Sequence, residues 1–402
     1  MPLMPVADAL QRVLAEAVAL PAETVPLNDA LGRVLTQEVA ALRTQPPAAV
    51  SAMDGYAVRA DDVAAAPVQL TIIGEVAAGH PFAGKVGAGQ AARIFTGGVM
   101  PDGSDTVVIQ ELTARDGDRV TIQKPTAKGR NVRGQGIDFT QGQVLLRKGS
   151  RLTGRDLMLA AAMNHAALAV HRRPKIAVLG TGDELIMPGG APGSGEIVYS
   201  NGFALLAMAR SEDAEVIDLG IARDQIEVIA AAVRRARDWG ADILVTTGGA
   251  SVGEHDLVQK ALASEGLDLS FWRVALRPGR PMMHGRLGAM QVLGLPGNPV
   301  SSYVCGFLFL VPLIRRLCGR ADLVPVPEPA LLGRDLPAND ERADYLRATL
   351  SGGPDGFIAT PVPTQDSSLM AALARADCLL IRPPNAPAAT AGSPAVILKL
   401  GL

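Results

Sequence analysis

The stretch Asp242-Ile-Leu-Val-Thr-Thr-Gly-Gly-Ala-Ser-Val-Gly-Glu-His-Asp256 decides the fold of this 402-residue chain. It begins with an apolar run of the kind found in strands that are covered on both faces. The run ends in a glycine-rich turn, and such a turn between a strand and a helix exposes backbone N–H groups that can hold phosphate. An ordinary loop that ends at a helix-capping Asp256 is the alternative interpretation. The turn supplies Gly248, Gly249, Ser251, Gly253 and Asp256 as candidate ligand-binding residues.

Three further loops follow predicted strands in the same way. Each contains glycine together with hydroxyl, acidic or arginine side chains. In an open parallel sheet, the loops at the carboxyl ends of the strands share one edge, and ligands bind there. The sequence therefore predicts a ligand site at this edge, built from the glycine-rich turn and from the loops at residues 179–185, 277–281 and 295–302.

Hydrophobic spacing predicts a multidomain fold of α/β and β type. Strand and helix patterns alternate between residues 173 and 317, which is typical of a doubly wound parallel sheet with helices on both faces. Short β runs occur on either side of this region. The linking domain is predicted to contain helices at residues 6–18 and 151–169. The predicted domains are a helical linking domain (1–45 with 141–172), a small β-rich domain (46–140), a central α/β domain (173–320) and a C-terminal β-barrel-like domain (321–402).

Composition favours a cytoplasmic protein with small-molecule ligands. A net charge of −2 provides no field for nucleic acid or an anionic membrane, so neither is an expected partner. Cys305, Cys318 and Cys378 are scattered and lack metal spacing, which is typical of reduced thiols in a core. The N-terminus lacks a signal-peptide pattern, and the most apolar segment, residues 300–314, is too short to span a bilayer.

Four acidic residues near the predicted strand ends could hold a divalent cation. Mg²⁺ prefers carboxylate, phosphate and water oxygens, so acids beside a phosphate-binding turn suit it. Helix capping is the alternative role for each acid, and Asp224 followed by Glu227 also fits a capping box. The acids are Asp183, Glu184, Asp224 and Asp256.

Arg277 and Arg280 flank a Pro-Gly turn, where two guanidinium groups could hold a phosphate or another tetrahedral oxyanion. Solvated charges on a surface turn are the alternative. Other catalytic schemes have little support, because the sequence has no evident Ser/His/Asp order, no zinc spacing and no Gly-Lys-Ser/Thr phosphate loop.

Six short blocks follow one another along nearly the whole chain. They are Ser51-Ala-Met-Asp-Gly-Tyr-Ala-Val58, Phe95-Thr-Gly-Gly98 with Met100-Pro101, Asn131-Val-Arg-Gly-Gln-Gly-Ile-Asp138, Thr181-Gly-Asp-Glu-Leu185, Thr247-Gly-Gly-Ala-Ser-Val-Gly-Glu-His-Asp256 and Leu295-Pro-Gly-Asn-Pro-Val-Ser301. One such block is moderately specific, and six in order are strongly so. Together they resemble the molybdopterin molybdenumtransferases, the family of the MoeA proteins and the gephyrin E domain.

The resemblance implies the last step of molybdenum cofactor assembly, in which adenylylated molybdopterin receives molybdate and AMP is released. It also implies Mg²⁺ and an elongated homodimer, in which the small β domain of one subunit borders the site of the other. Transient contact with the adenylyltransferase and with recipient molybdoenzymes is a further expectation.

The resemblance also implies roles for individual residues. Asp54, Thr96 and Asp138 would come from the second subunit, and with Glu184 and Asp256 they would be the catalytic residues. Glu184, Asp224 and Asp256 would serve the metal and the pyrophosphate. The residues that would bind substrate are Gly248, Gly249, Ser251, Gly253, Pro296, Gly297, Asn298 and Ser301, and those lining the molybdate pocket are Arg277, Arg280, Arg347 and Ser367.

The chain departs from the family pattern at Arg277 and Arg280, where lysine is often found. Arginine keeps the charge but is a wider, forked donor. Two alternative functions remain open at this point. A molybdopterin adenylyltransferase shares the α/β domain but would not need the flanking β domains. A non-enzymatic scaffold, as the gephyrin branch partly is, would keep the dimer and offer a groove to a peptide.

Overall fold

The computed structural model describes residues 3–248, 257–353 and 356–401. The chain begins with an amphipathic helix, α1, which is three residues shorter than predicted. Its buried residues Ala9 and Val13 are part of the core of the central α/β domain. There α1 packs against the helix that ends at Leu317. The first elements are α1 (Val6–Ala15), β1 (Ala22–Pro26) and β2 (Val39–Ala40).

The small β-rich domain follows, and its centre is a six-stranded sheet in the order β7-β4-β6-β5-β9-β8. Strand β4 lies near the middle and is buried along its whole length, although the sequence pattern did not predict it. The strands are β3 (Val50–Ser51), β4 (Gly55–Val58), β5 (Val68–Val76), β6 (Gln90–Ile94), β7 (Thr106–Ile109), β8 (Thr113–Asp116), β9 (Arg119–Ile122) and β10 (Val132–Arg133).

The chain then returns to the linking domain. Helix α2 starts with a capping box between Thr153 and Asp156. The predicted helix at 151–169 is too long, because Asn164 takes a left-handed conformation with φ of 75° and the chain continues as a strand paired with β1. These elements are β11 (Val144–Leu146), α2 (Gly154–Ala162) and β12 (Ala167–His171).

The central domain is an α/β sheet in the order β16-β13-β17-β21-β20-β18. The first four strands are parallel, which confirms the predicted α/β class, and β20 and β18 are antiparallel additions. Strand β20 was not predicted, because its sequence Met-His-Gly-Arg-Leu has no β-branched residue. The elements are β13 (Lys175–Thr181), β14 (Leu185–Ile186), β15 (Ile197–Val198), α3 (Asn201–Ser211), β16 (Glu215–Ala222), α4 (Ile226–Asp238), β17 (Ile243–Thr247), α5 (Leu257–Ser264), β18 (Asp268–Trp272), β19 (Leu276–Arg277), β20 (Met283–Leu287) and β21 (Met290–Leu295).

A long apolar helix lies behind the sheet. It consists of α6 (Pro299–Cys305), a π-helical turn (Gly306–Leu310) and α7 (Val311–Leu317). Pro312, which has no N–H to donate, follows the π turn. At 19 residues the helix is long and apolar enough to cross a membrane. The sequence had predicted that the apolar segment at residues 300–314 is too short for this. In the structure, 83% of the most apolar window of the helix is buried inside the protein.

The C-terminal domain is a closed barrel of five strands, as predicted. The order β23-β24-β22-β26-β25 is closed by pairing between β23 and β25, and β19 adds to the edge of β23. Strand β22 contains a proline, Pro329, which lies at an exposed position. The elements are β22 (Glu328–Leu332), β23 (Ala343–Gly353), β24 (Gly356–Pro361), α8 (Met370–Ala374), β25 (Cys378–Arg382) and β26 (Pro394–Lys399).

Candidate functional site

The carboxyl ends of the parallel strands bring three of the predicted loops into contact. Gly248 has a φ of 93°, and a Cβ there would lie 2.4 Å from the carbonyl oxygen of Thr181. Its N–H donates to the Leu295 oxygen at 3.3 Å, and a Cβ on Gly297 would lie 3.5 Å from the Cα of Gly248. Glycine is needed where backbones approach this closely. The predicted residues Gly249, Ser251, Gly253 and Asp256 lie outside the described residues.

The loop at residues 295–301 joins the sheet edge to the C-terminal barrel. Asn298 precedes α6 but does not cap it with its side chain. Its amide instead donates to the Ser367 hydroxyl at 2.9 Å, and the Ser367 carbonyl accepts the Val300 N–H at 3.1 Å. The contact brings together Asn298 and Ser367, which are both predicted site residues. Pro296 and Ser301 are buried, whereas Gly297 is exposed.

Arg347 lies behind the loop that carries Ser367, and its side chain is fully buried. Its Nη2 donates to the carbonyl oxygens of Thr364 and Asp366, at 3.4 and 3.0 Å. Its Nε and Nη1 have no hydrogen-bond partner, and burial lowers the pKa of this guanidinium. A buried cation with two unpaired donors is costly unless an anion or water meets them. An oxyanion could meet these two donors only if the loop that carries Ser367 moved aside, because both atoms are closed to solvent in this structure.

The two arginines of the Pro-Gly turn differ in their surroundings. Arg277 is paired with Asp344 through two bonds, Nε to Oδ1 at 2.7 Å and Nη2 to Oδ2 at 2.5 Å, and it lies 3.5 Å from Asp340. Arg280 is exposed, and its guanidinium has no hydrogen-bond or ion-pair partner within the ranges the structure describes. Arg280 is free to bind an anion, whereas Arg277 already has its charge neutralised.

Asp183, Glu184 and Asp224 lie at the same edge. The Asp183 carboxylate accepts the Asp224 N–H at 3.2 Å, and Arg223 donates to the Asp183 carbonyl at 2.6 Å. The predicted capping box at Asp224 is wrong, because Gln225 is the N-cap residue of α4 and has no side-chain capping bond. The carboxylates of Glu184 and Asp224 are exposed. The ranges 3–248, 257–353 and 356–401 contain no group of three metal-binding side chains, and Asp256 lies outside them.

Three of the six sequence blocks meet on one face of the small β domain. Ser51 and Gly97–Gly98 exchange two backbone bonds at 2.9 Å, and Ala52 N–H donates to the Asn131 oxygen at 2.8 Å. The Asp54 carboxylate accepts both the N–H and the hydroxyl of Thr96, at 2.8 and 2.7 Å. The Thr96 N–H and then its hydroxyl hold the pKa of Asp54 below its ordinary value.

Asp138, the third predicted residue of this domain, is exposed, and its N–H donates to the Gln45 oxygen at 3.2 Å. In the part of the chain that the structure describes, no hydrogen bond or ion pair joins Asp54, Thr96 or Asp138 to the loops of the sheet edge. Within one chain, the predicted site residues of the small β domain are therefore not bonded to those of the sheet edge among the described residues.

Sequence reasoning missed two contributors to the sheet-edge group. Asn201 begins α3, and its amide donates to the Gly297 oxygen at 2.7 Å, which fixes the loop at residues 295–301. Asp344, which lies on a strand of the barrel, neutralises the charge of the Arg277 guanidinium. A cavity of about 400 Å³ opens beside Asn201 and is lined further by Pro299, Tyr303 and Met370. The Ser-Asn-Gly sequence at the start of α3 was the available signal for Asn201.

Comparisons with known proteins agree with this arrangement. Residues 4–164 match the MoeA N-terminal region (domains I and II), residues 177–316 a probable molybdopterin-binding domain, and residues 329–400 the MoeA C-terminal region (domain IV). The molybdopterin molybdenumtransferase of Haemophilus influenzae is 32% identical over 93% of both chains. That of Bacillus subtilis is 32% identical over 94% of this chain and 90% of its own.

A solved structure extends the similarity to the whole fold. The molybdopterin biosynthesis MoeA protein of Pyrococcus horikoshii has a TM-score of 0.86 and 31% identity, with 100% of each chain covered. The fold and the sheet-edge loops thus define a transferase of molybdenum cofactor biosynthesis. The chain belongs to the MoeA family, whose curated relatives are named molybdopterin molybdenumtransferases.

Proposed function

We propose that this protein inserts molybdate into adenylylated molybdopterin and releases AMP. The observation that carries the proposal is Arg347, a buried guanidinium with two unpaired donors beside the Asn298–Ser367 contact. A tetrahedral oxyanion can accept from such a fork. An adenylyltransferase of the same α/β domain would have no use for this barrel residue.

Each group in the proposed site has a task in that reaction. The loops around Gly248 and Gly297 hold the pyrophosphate, because their backbones approach closely and can present N–H groups. Arg347, with Ser367 and the free Arg280, holds molybdate. The dithiolene sulfurs belong to the substrate, so no protein thiol is needed. Cys305, Cys318 and Cys378 are buried, and burial raises the pKa of each thiol.

Mg²⁺ fits the donor set at the sheet edge. It is commonly held by one or two carboxylates together with substrate phosphates, so a cluster of three protein ligands is not required. Glu184 and Asp224 would hold it together with Asp256, and Asp224 has no capping bond that competes. Bound there, the ion would neutralise charge on the pyrophosphate.

The substitution Asp224→Asn is expected to raise the Mg²⁺ concentration for half-maximal AMP release by about 10-fold, because an amide is a weaker ligand for a hard cation than a carboxylate. Titration of Mg²⁺ against AMP release measures this. The exposed Asp218→Asn, on the neighbouring strand β16, is the control and should leave the requirement unchanged. If both variants need the same Mg²⁺ concentration for half-maximal AMP release, Asp224 is not part of the metal site.

The homodimer is part of the same proposal. The bonded pair Asp54–Thr96 and the exposed Asp138 have no bond to the sheet-edge loops of their own chain among the described residues, which suits a site completed by a second copy. We also infer a cytoplasmic location and transient contact with the adenylyltransferase and with recipient molybdoenzymes, since a labile substrate and product would pass between them.

Molybdate binding should depend on Arg280. Arg280→Gln should raise the molybdate concentration for half-maximal AMP release by about 10- to 100-fold, as expected from losing a charge-assisted hydrogen bond of roughly 1.5–3 kcal/mol. Binding of the nucleotide substrate should be nearly unchanged, and Arg280→Lys should be milder because the charge survives. The exposed Arg375→Gln is the matched control. Lost nucleotide binding with an unchanged molybdate requirement would assign Arg280 to the pyrophosphate instead.

Incubation with adenylylated molybdopterin, Mg²⁺ and molybdate separates the proposed function from its alternatives. The transferase should release AMP only when molybdate is present. An adenylyltransferase should instead consume ATP and molybdopterin, and a scaffold should turn over neither set of substrates. AMP release that does not depend on molybdate would contradict the proposal.

A further inference from the structure

Arg93 lies on β6, three residues before Thr96, and its guanidinium is held between two aromatic rings. Its Cζ lies 5.3 Å from the ring centroid of Tyr56 and 4.7 Å from that of Phe95. Cations at these distances are attracted to the ring faces. Tyr56 belongs to β4, two residues after Asp54, whereas Phe95 immediately precedes Thr96. The stacked guanidinium thus joins the two segments that carry Asp54 and Thr96.

Hydrogen bonds from Arg93 connect the same two segments. Nη1 donates to the carbonyl oxygen of Gly55, the residue after Asp54, at 3.1 Å. Nη2 donates to Oε1 of Gln110 at 2.8 Å, and the N–H of Gln110 donates to the Asp54 carbonyl at 3.1 Å. One planar guanidinium therefore fixes the backbone carbonyls of Gly55, directly, and of Asp54, through Gln110, a geometry that the flexible ammonium of lysine does not reproduce.

Stabilisation of the sheet alone does not explain all the contacts that the Arg93 side chain makes. Tyr56 is the residue opposite Arg93 on β4, so that contact alone is an ordinary cross-strand pair, but the contacts with Phe95, Gly55 and Gln110 extend beyond it. Here the contacts converge on residues adjacent to Asp54 and Thr96, and the two aromatic rings limit the directions in which the guanidinium can move. Arg93 is also the charged group whose field acts on the Asp54 carboxylate.

We propose that Arg93 is a positioning residue, which holds the Asp54 carboxylate and the Thr96 hydroxyl in the geometry they need for turnover. The inference rests on the proposed function, because it assigns that pair to the reaction. The Thr96 N–H and hydroxyl both donate hydrogen bonds to Asp54 Oδ1, which leaves Oδ2 and the Thr96 oxygen lone pairs available to a ligand. We call the contacts of the Arg93 side chain with Tyr56, Phe95, Gly55 and Gln110 the clamp. Without the clamp, the Asp54 carboxylate and the Thr96 hydroxyl could rotate away from that geometry.

The clamp can be tested without turnover, in the full-length protein. The Thr96 N–H reports the pair, because it donates to Asp54. In Arg93→Gln we expect faster hydrogen exchange of this amide by about 10-fold and a higher Asp54 pKa, read from the pH dependence of the amide shift. Arg93→Lys keeps the charge but not the fork, so the pKa should rise less while exchange still increases. Arg115→Gln, an exposed arginine of the same domain, is the control.

Turnover then tests the positioning role. Arg93→Gln should lower kcat by about 10- to 100-fold, as misplacement of reacting groups does, while the KM for molybdate stays near the wild-type value because the molybdate pocket is separate. Arg93→Lys should recover part of kcat, and if Arg93→Gln does not fold, Arg93→Lys alone decides through the same readouts.

Two outcomes would overturn the inference. One is a Thr96 amide in Arg93→Gln and Arg93→Lys that exchanges and titrates as in Arg115→Gln. The other is a loosened Thr96 with an unchanged kcat, which would show that the pair does not need this geometry. A wild-type protein without molybdate-dependent AMP release would refute the proposed function instead, while the amide measurements would still decide whether the clamp exists.

Discussion

Replacing Arg347 by methionine should reduce molybdate-dependent AMP release by about 1,000-fold, the upper range for removing one buried charge-stabilising donor. Methionine fills much of the volume but offers no donor, so molybdate would enter a site that has lost its buried cation and keeps only the exposed Arg280. The loss should appear in the molybdate requirement as well as in the rate, because Arg347 would bind the anion before it reacts. Nucleotide binding at the sheet edge should persist.

Arg382→Met is the matched control for that substitution. Arg382 is also a buried arginine of the barrel, but its Nη2 bonds to the carbonyl oxygens of Pro337, Ala386 and Pro387. Its loss should lower the free energy of unfolding and leave the molybdate requirement unchanged. If both variants lose activity in proportion to stability, Arg347 is structural and the anion lies elsewhere.

Mixing two inactive variants should restore activity. Asp54→Ala removes the small-domain group, and Asp256→Ala removes the acid at the end of the glycine-rich turn. If one site combines both groups from different subunits, half of the dimers in an equal mixture are mixed, and each has one intact site out of two. About a quarter of the wild-type activity should return.

Subunit exchange must be verified with differently tagged chains, and each variant alone is the control. An equal mixture of Asp256→Ala with Arg115→Gln, which is altered in the same small domain but outside the predicted site, should show about half of the wild-type activity, the simple sum of its parts. No recovery in the Asp54→Ala and Asp256→Ala mixture, with exchange demonstrated, would mean that each site is built within one chain.

The sequence predicted the central sheet because its apolar runs follow the physical rule for covered strands. Residues 243–245 are continuous and apolar, and the strand forms at Ile243–Thr247. Strands that pack on one side only, or that contain glycine or charged residues, have no such signature. Strand β20 and the proline-containing β22 form because neighbouring strands pair with them, and local sequence does not encode that pairing.

The candidate site was predictable where it depends on the sheet edge and unpredictable where it depends on distant partners. Gly248 and the loop at residues 295–301 follow strands, so their contact is a consequence of parallel topology. The pairing of Arg277 with Asp344 spans 67 residues and two domains, so no spacing rule could separate Arg277 from Arg280. Arg347 was assigned by family resemblance. Its two unpaired donors are known only from the structure, which shows that the side chain is buried.

A single-turnover experiment tests the central claim most directly. The protein, in excess over adenylylated molybdopterin, is given Mg²⁺ and a measured amount of molybdate, and AMP and molybdenum bound to the dithiolene are counted together. The account predicts one AMP released for each molybdenum inserted, with neither product formed when molybdate is omitted. AMP released at the same rate without molybdate, or molybdenum inserted while the nucleotide stays intact, would contradict it.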